Sequence, residues 1–243
     1  MKIKNIKSTN FDKKKRTKKS IKIIVIHYTG MQSERESIIR LCDPRSKVSS
    51  HFLINRNGKV YRLIKEDYVA WHAGISHWGK YKNLNRNSIG IELVNKGHEF
   101  GYVAFSKKQL SSLVKICRNL IKKYKIEKKF IVGHSDIAPL RKKDPGEKFP
   151  WQNLAKHKIG IWHSFKPNFL KKYRKIKISK KEQIKFVQNL SNIGYYFSLK
   201  KNLNKNKVFK AFQRHYRKDL INGVPDKECS IIAQNIVKSV KKS

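Results

Sequence analysis

Five side chains able to do chemistry stand where short apolar runs break off. They are His27 after IIVI, Glu92 inside IGIEL, His134 after FIVG, and then Lys142 and Asp144 within RKKDPG. Two imidazoles and one carboxylate make a first shell typical of catalytic zinc, with a fourth position open for water. Such an ion lowers the pKa of that water toward neutrality and polarises a substrate carbonyl. A nearby carboxylate that is not a ligand can take the water's proton and hand it to a leaving nitrogen. A lysine can stabilise the oxyanion that forms. His27, His134 and Asp144 fit the ligand roles, and Glu92 and Lys142 fit the other two. Spacing alone does not decide the matter, because the chain has nine histidines and each is open to a plain surface or core reading.

The elements that must bring these residues together are legible in outline. IKIIVIHYT is a nearly continuous β-branched run, the mark of a strand buried on both faces. NSIGIELVN reads as a second buried strand, and KKFIVGHSD as a short one ending at His134. SSHFLINRNGKVYRLI gives two strands around an NRNG turn, so Asn55, Arg56 and Gly58 are turn residues. SERESIIRLC has helical spacing, with Ser33 as N-cap and Glu36 three residues later. SKKQLSSLVKICRNLIKKYKI carries Leu110, Leu113, Val114, Cys117, Leu120 and Ile121 on one stripe behind a Ser106 cap, an amphipathic helix. Strands and helices alternate, so residues 21–165 are expected to form an α/β sheet domain. In such sheets, side chains at strand ends converge on a cleft.

Residues 1–20 read as a solvated, flexible basic tail. Residues 166–179 read as a basic linker. Residues 180–243 carry three amphipathic segments, KKEQIKFVQNLSNIGYY, NKNKVFKAFQRHYRKDL and ECSIIAQNIVKSVKK, and predict a small three-helix domain. Across all 243 residues, 58 Lys and Arg against 16 Asp and Glu leave a formal charge of +42. Charge of that size suits an anionic surface or polymer. The lysines are spread along the chain without a base-reading motif, so no nucleic-acid partner is expected. Three widely spaced cysteines exclude a disulfide framework and a CxxC metal site. No apolar run reaches transmembrane length, and no secretory signal is recognisable.

IHYTG, VSSHFLINRNGKVYRLI, AWHAG, NSIGIELVN, GHSDIAP and KKDPG…FPW, in that order, closely resemble the zinc-dependent N-acetylmuramoyl-L-alanine amidases of the amidase and peptidoglycan-recognition-protein superfamily. The resemblance covers residues 21 to about 155. It implies a mixed central sheet flanked by helices. It also implies cleavage of the amide between the lactyl group of N-acetylmuramic acid and the L-alanine of the stem peptide. By the same likeness His27, His134 and Asp144 would bind one Zn2+, Glu92 would be the acid/base, and Lys142 would match the family lysine, with Lys143 adjacent. Ser50 stands where some phage-type relatives have a tyrosine, and Asp144 where they have a cysteine ligand.

His51, His72, Arg86 and Asn87 are candidate substrate contacts, with packing or a solvated loop as the competing reading. His77 and His98 read as solvated loop histidines, and Asp136 as a turn cap after His134. FVQNLSNIGYY and VFKAFQRHY resemble a small peptidoglycan-binding module, although FSLKKNLNKN replaces its usual turn glycines. Phe209, Phe212 and Tyr216 are expected in that module's core. The partners implied are peptidoglycan or muropeptides. The alternatives are a non-catalytic peptidoglycan-binding protein and a basic nucleic-acid-binding protein. A binding module favours the bacterial envelope (periplasm), and the missing signal favours the cytoplasm.

Overall fold

The chain enters its main sheet at the third residue. In the computed structural model, which describes residues 2–197 and 205–241, the first elements are β1 (Ile3–Asn5) and β2 (Phe11–Asp12). The sequence then runs through β3 (Ile23–Tyr28), α1 (Glu34–Cys42), β4 (Phe52–Ile54), β5 (Val60–Arg62), β6 (Val69–Ala70), β7 (His77–Trp78), β8 (Tyr81–Lys82) and β9 (Ser88–Leu93). After these come α2 (Lys107–Tyr124), β10 (Ile131–Gly133), α3 (His134–Ile137), α4 (Trp151–Lys156), α5 (Pro167–Lys171), α6 (Lys180–Ile193), α7 (Lys205–Tyr216) and α8 (Lys227–Lys241). The main sheet has the order β1-β5-β4-β9-β3-β10. Only the β4–β5 pair is antiparallel, closed by the turn expected at NRNG. The mixed sheet flanked by helices is therefore present.

The register decides the chemistry. β3 lies between β9 and β10, parallel to both, so the three strands end at the same edge. His27 is the direct neighbour of Glu92 in that register. β10 stops at Gly133, and the next residue is His134. Successive side chains on β3 point to opposite faces. Ile24 and Ile26 join Leu113, Ile116, Cys117 and Leu120 of α2 in one apolar cluster, while Ile23 and Val25 join a second one on the other side. All four β3 side chains are fully buried, as a strand covered on both faces requires. Ser106 caps α2 by accepting the Gln109 N–H at 3.1 Å, and Ser33 caps α1 through the Glu36 N–H at 3.1 Å.

Two expectations are corrected. Residues 3–20 are not a free tail. β1 pairs in parallel with β5, and β2 pairs with β6. Ser8 and Asn10 are buried, and their side chains bond to the carbonyls of Leu41, Asp43 and Val48. Arg16 spans the carbonyls of Glu66, Asn85 and Ser88. The segment is held by main-chain pairing and polar side chains, which leave no hydrophobic period to read. The stretch 166–179 is likewise packed. It contains α5 with a buried Leu170, and Arg174 makes two bonds, of 2.7 and 2.9 Å, to the buried Glu228.

The three C-terminal helices appear where the periodicity predicts them. Ser179 and Glu182 form a capping box at the start of α6. Phe209, Phe212 and Tyr216 are buried, in one cluster with Phe186, Leu190 and the sheet residues Ile23, Val25 and Val132. Most of the FSLKKNLNKN segment, residues 198–204, lies outside the described residues. Among the described residues no helix is long and apolar enough to cross a membrane.

Candidate active site

A cleft of about 370 Å3 opens at the strand ends, and its lining includes His27, His72, Glu92, His134, Lys142 and Asp144. The Nδ1 atoms of His27 and His134 lie 3.0 Å apart, and each approaches Asp144 Oδ2, at 3.0 and 3.1 Å. All three residues are buried. The outer nitrogen of His134, Nε2, faces the Ala73 carbonyl at 3.3 Å. The Arg141 guanidinium, which only donates, lies 3.4 Å from the same nitrogen, and Nδ1 is the atom turned toward Asp144. Donor atoms about 3 Å apart match the edge of a tetrahedral site with bonds of about 2.0–2.1 Å. The donor set and spacing thus fit a zinc-like metal.

The electrostatics agree with that fit. Burial, and then the neighbouring His134, push the His27 imidazole down to about 4. Burial works to raise the Asp144 carboxyl, but the closeness of His134 and His27 outweighs it and holds the group well below the usual carboxylate range. A neutral His27 beside an ionised Asp144 is the pairing a metal needs.

Glu92 stands on the cleft wall. Its Oε2 is buried with no hydrogen-bond partner among the described residues. Burial, and then repulsion from Asp144, raise its carboxyl well above the ordinary value. The half-buried Lys142 ammonium works the other way on Glu92 and also lowers His27, so its charge is felt inside the site. Lys143 is exposed at the rim.

The other candidates divide. His72 lines the cleft and touches His27, Nδ1 to Nε2, at 3.1 Å. His51 does not reach the cleft. It is fully buried, its Nδ1 accepts the Gly90 N–H at 3.0 Å, and its Nε2 faces the Tyr68 carbonyl and Arg16. It is a packing residue, fixed because β4 runs beside β9. Arg86 and Asn87 do not line the cleft either. The turn before β9 aims Arg86 outward to Asp12, 4.0 Å away, and Asn87 donates to the Ser20 carbonyl.

Sequence reasoning missed several neighbours of the site. His98 is no solvated loop residue: it lines the cleft, bonds Tyr28 and Glu147, and stacks on Tyr102. His77 stacks on Tyr196 with centroids 4.2 Å apart. Arg141 lies at the cleft edge and ties down the carbonyls of Ala73 and Ile75. Arg141 adjoins the KKDPG motif, the one sequence signal that could have found it. Asp136 does cap the turn, accepting the Gly133 N–H at 2.8 Å.

Fold and site together define a hydrolase with a metal-compatible His-His-Asp cluster at the parallel strand ends. The family model for N-acetylmuramoyl-L-alanine amidase matches residues 17–147. The chain belongs to that amidase family, and its reaction is hydrolysis of the amide between N-acetylmuramic acid and L-alanine. It is 36% identical over 233 residues to the N-acetylmuramoyl-L-alanine amidase AmiD of Escherichia coli, covering 89% of this chain and 82% of that protein. The E. coli AmiD structure, a complex with anhydro-N-acetylmuramic acid-L-Ala-D-gamma-Glu-L-Lys, superposes with a TM-score of 0.80 at 33% identity, over 94% of this chain and 92% of that one. AmpDh3 from Pseudomonas aeruginosa, in complex with anhydromuramic pentapeptide, gives a TM-score of 0.80 at 27% identity, over 96% and 98% of the two chains.

Proposed function

We propose that this amidase is zinc-dependent, with His27, His134 and Asp144 as ligands, and that it acts on muropeptides and on the stem peptides of peptidoglycan in the cell envelope. The observation that carries the metal reading is the convergence of three lone-pair donors within hydrogen-bonding distance. A zinc ion held there would acidify a bound water and polarise the scissile carbonyl. Glu92 takes the proton of the attacking water and delivers it to the departing L-alanine nitrogen, a role suited to a carboxyl whose proton affinity burial has raised. Lys142, rather than the exposed Lys143, faces the oxyanion that develops on the carbonyl. The anhydro-muropeptides held by the two similar structures support the substrate class. The envelope assignment is supported by the high positive charge, which suits an insoluble anionic polymer, and by the likeness of the C-terminal helices to a wall-binding module.

The test is mass spectrometry of products from purified sacculi and, in parallel, from a soluble anhydro-muropeptide, each with and without chelator. Release of L-alanine-headed peptides from both, lost on chelation and restored by zinc, is expected. Cleavage indifferent to chelator would overturn the metal reading, and intact sacculi would overturn the wall-acting one.

A further inference from the structure

We propose that His72 is a positioning residue for the metal site: it holds His27 in the one tautomer that presents Nδ1 to the ligand cluster, with Asn85, Ser88 and Gly90 placing its ring. The inference rests on the metal reading above.

Every bond direction in this relay follows from its far end. The Ser88 hydroxyl is 2.6 Å from the Leu84 carbonyl, which can only accept, so Ser88 donates there. Ser88 Oγ then accepts from His72 Nε2, 3.2 Å away. The proton of His72 is thereby fixed on Nε2 and its Nδ1 is bare. That Nδ1 lies 3.1 Å from Nε2 of His27, so His27 donates to it and carries its own proton on Nε2. The nitrogen left bare on His27 is Nδ1, the one that faces His134 and Asp144. A backbone carbonyl thus dictates, through two side chains, which nitrogen of His27 is a ligand.

The same loop serves the second ligand. Ala73, the next residue, offers its carbonyl to His134 Nε2. Consecutive positions of AWHAG therefore adjoin both histidine ligands. The loop is pinned by Asn85, whose Oδ1 accepts the N–H groups of His72 at 3.1 Å and Ala73 at 2.7 Å. Gly90 provides the floor. A Cβ there would sit 2.4 Å from Cγ of His72, inside the ring's van der Waals surface. On another side the His51 ring packs edge-on, with centroids 5.6 Å apart. Glycine at 90 and the buried His51 both have a use in this arrangement, which substrate binding did not supply.

Zinc affinity of the full chain, measured by competition with a chromophoric chelator, tests the idea without using turnover. His72→Phe keeps a flat ring and removes the acceptor, and is expected to weaken zinc about 10–100-fold, the usual effect of losing an outer-shell partner. His72→Asn places an oxygen where Nδ1 was and is expected to recover most of that loss. Long-range nitrogen–proton spectra of the metal-free protein are expected to show the wild-type His27 proton on Nε2. A folded His72→Phe with wild-type zinc affinity overturns the proposal, as does a His72→Asn no better than His72→Phe. Should His72→Phe fail to fold, the His27 spectrum and Ser88→Ala decide. A proton on His27 Nδ1, or unchanged zinc affinity in Ser88→Ala, overturns it. A wild-type chain that binds no zinc overturns the metal reading instead, and the two failures are told apart by that measurement.

Discussion

Replacing Asp136 by alanine should destabilise the protein far more than a typical substitution. Asp136 is 1% exposed, two residues beyond the proposed ligand His134. Its Oδ2 accepts the Gly133 N–H at 2.8 Å and faces His215 Nδ1 at 2.7 Å, while its Oδ1 accepts the Tyr195 hydroxyl at 2.8 Å. His215 comes from α7 and Tyr195 from the residues just after α6, so one carboxylate ties the turn that carries His134 to the C-terminal helices. The alanine variant leaves three buried donors without an acceptor. Each such orphan costs about 1–3 kcal/mol, and partial relaxation brings the sum to about 3–6 kcal/mol. For a chain of this size that corresponds to a fall in melting temperature of roughly 6–24 °C. Tyr195→Phe, which removes a single hydroxyl, should cost only about 1–2 kcal/mol. The assay is thermal unfolding by circular dichroism, with chelator present throughout so that metal binding does not contribute. A loss below about 1 kcal/mol in Asp136→Ala would refute the reasoning.

Other consequences follow from the site. Glu92→Gln should lower kcat by about 10²–10⁴ with zinc affinity unchanged, read from chromatographic release of L-alanine peptides alongside chelator competition. Lys142→Ala should depress kcat while Lys143→Ala leaves it near wild type, and equal effects would remove the oxyanion assignment. Asp144→Asn should abolish stoichiometric zinc binding, measured by metal analysis after gel filtration, and amidase activity with it. Stability of the chelated protein should fall as pH drops from about 6.5 toward 4, the ordinary histidine value being near 6.5. Burial holds both His163 and His27 down at about 4, so the unfolded chain binds more protons than the folded one across that window. Urea midpoints should show this slope, and His163→Gln should flatten it; an unchanged slope in that variant would exclude His163 as a source.

The local signals that worked were those in which a residue's use depends on its immediate neighbours. A β-branched run predicted β3, a serine three residues before a backbone N–H capped α2, and an NRNG turn closed β4 onto β5. Chemically distinctive side chains at the ends of such runs pointed to His27, Glu92 and His134. Their convergence could be expected because parallel strands end together at one edge. By itself the sequence determined the central strands, the long helices, their apolar faces and, through six ordered motifs, the family and its reaction.

Tertiary structure decided what depends on register and distant contact. Residues 3–20 carry no hydrophobic period, yet backbone pairing with β5 and β6 holds them, because main-chain bonds need no side-chain pattern. Arg86, Asn87 and His51 were plausible contacts by type. A turn aims the first two away from the cleft, and strand adjacency seals the third beneath Gly90. His98 was brought from a loop to the cleft by a glutamate 49 residues further on. Asp136 found its partner His215 across 79 residues, and His27 met His72 across 45. Hydrogen bonds between groups so far apart in the chain exist only once the sheet has set their positions, and the partner of His27 Nε2 is for that reason invisible in the sequence around His27.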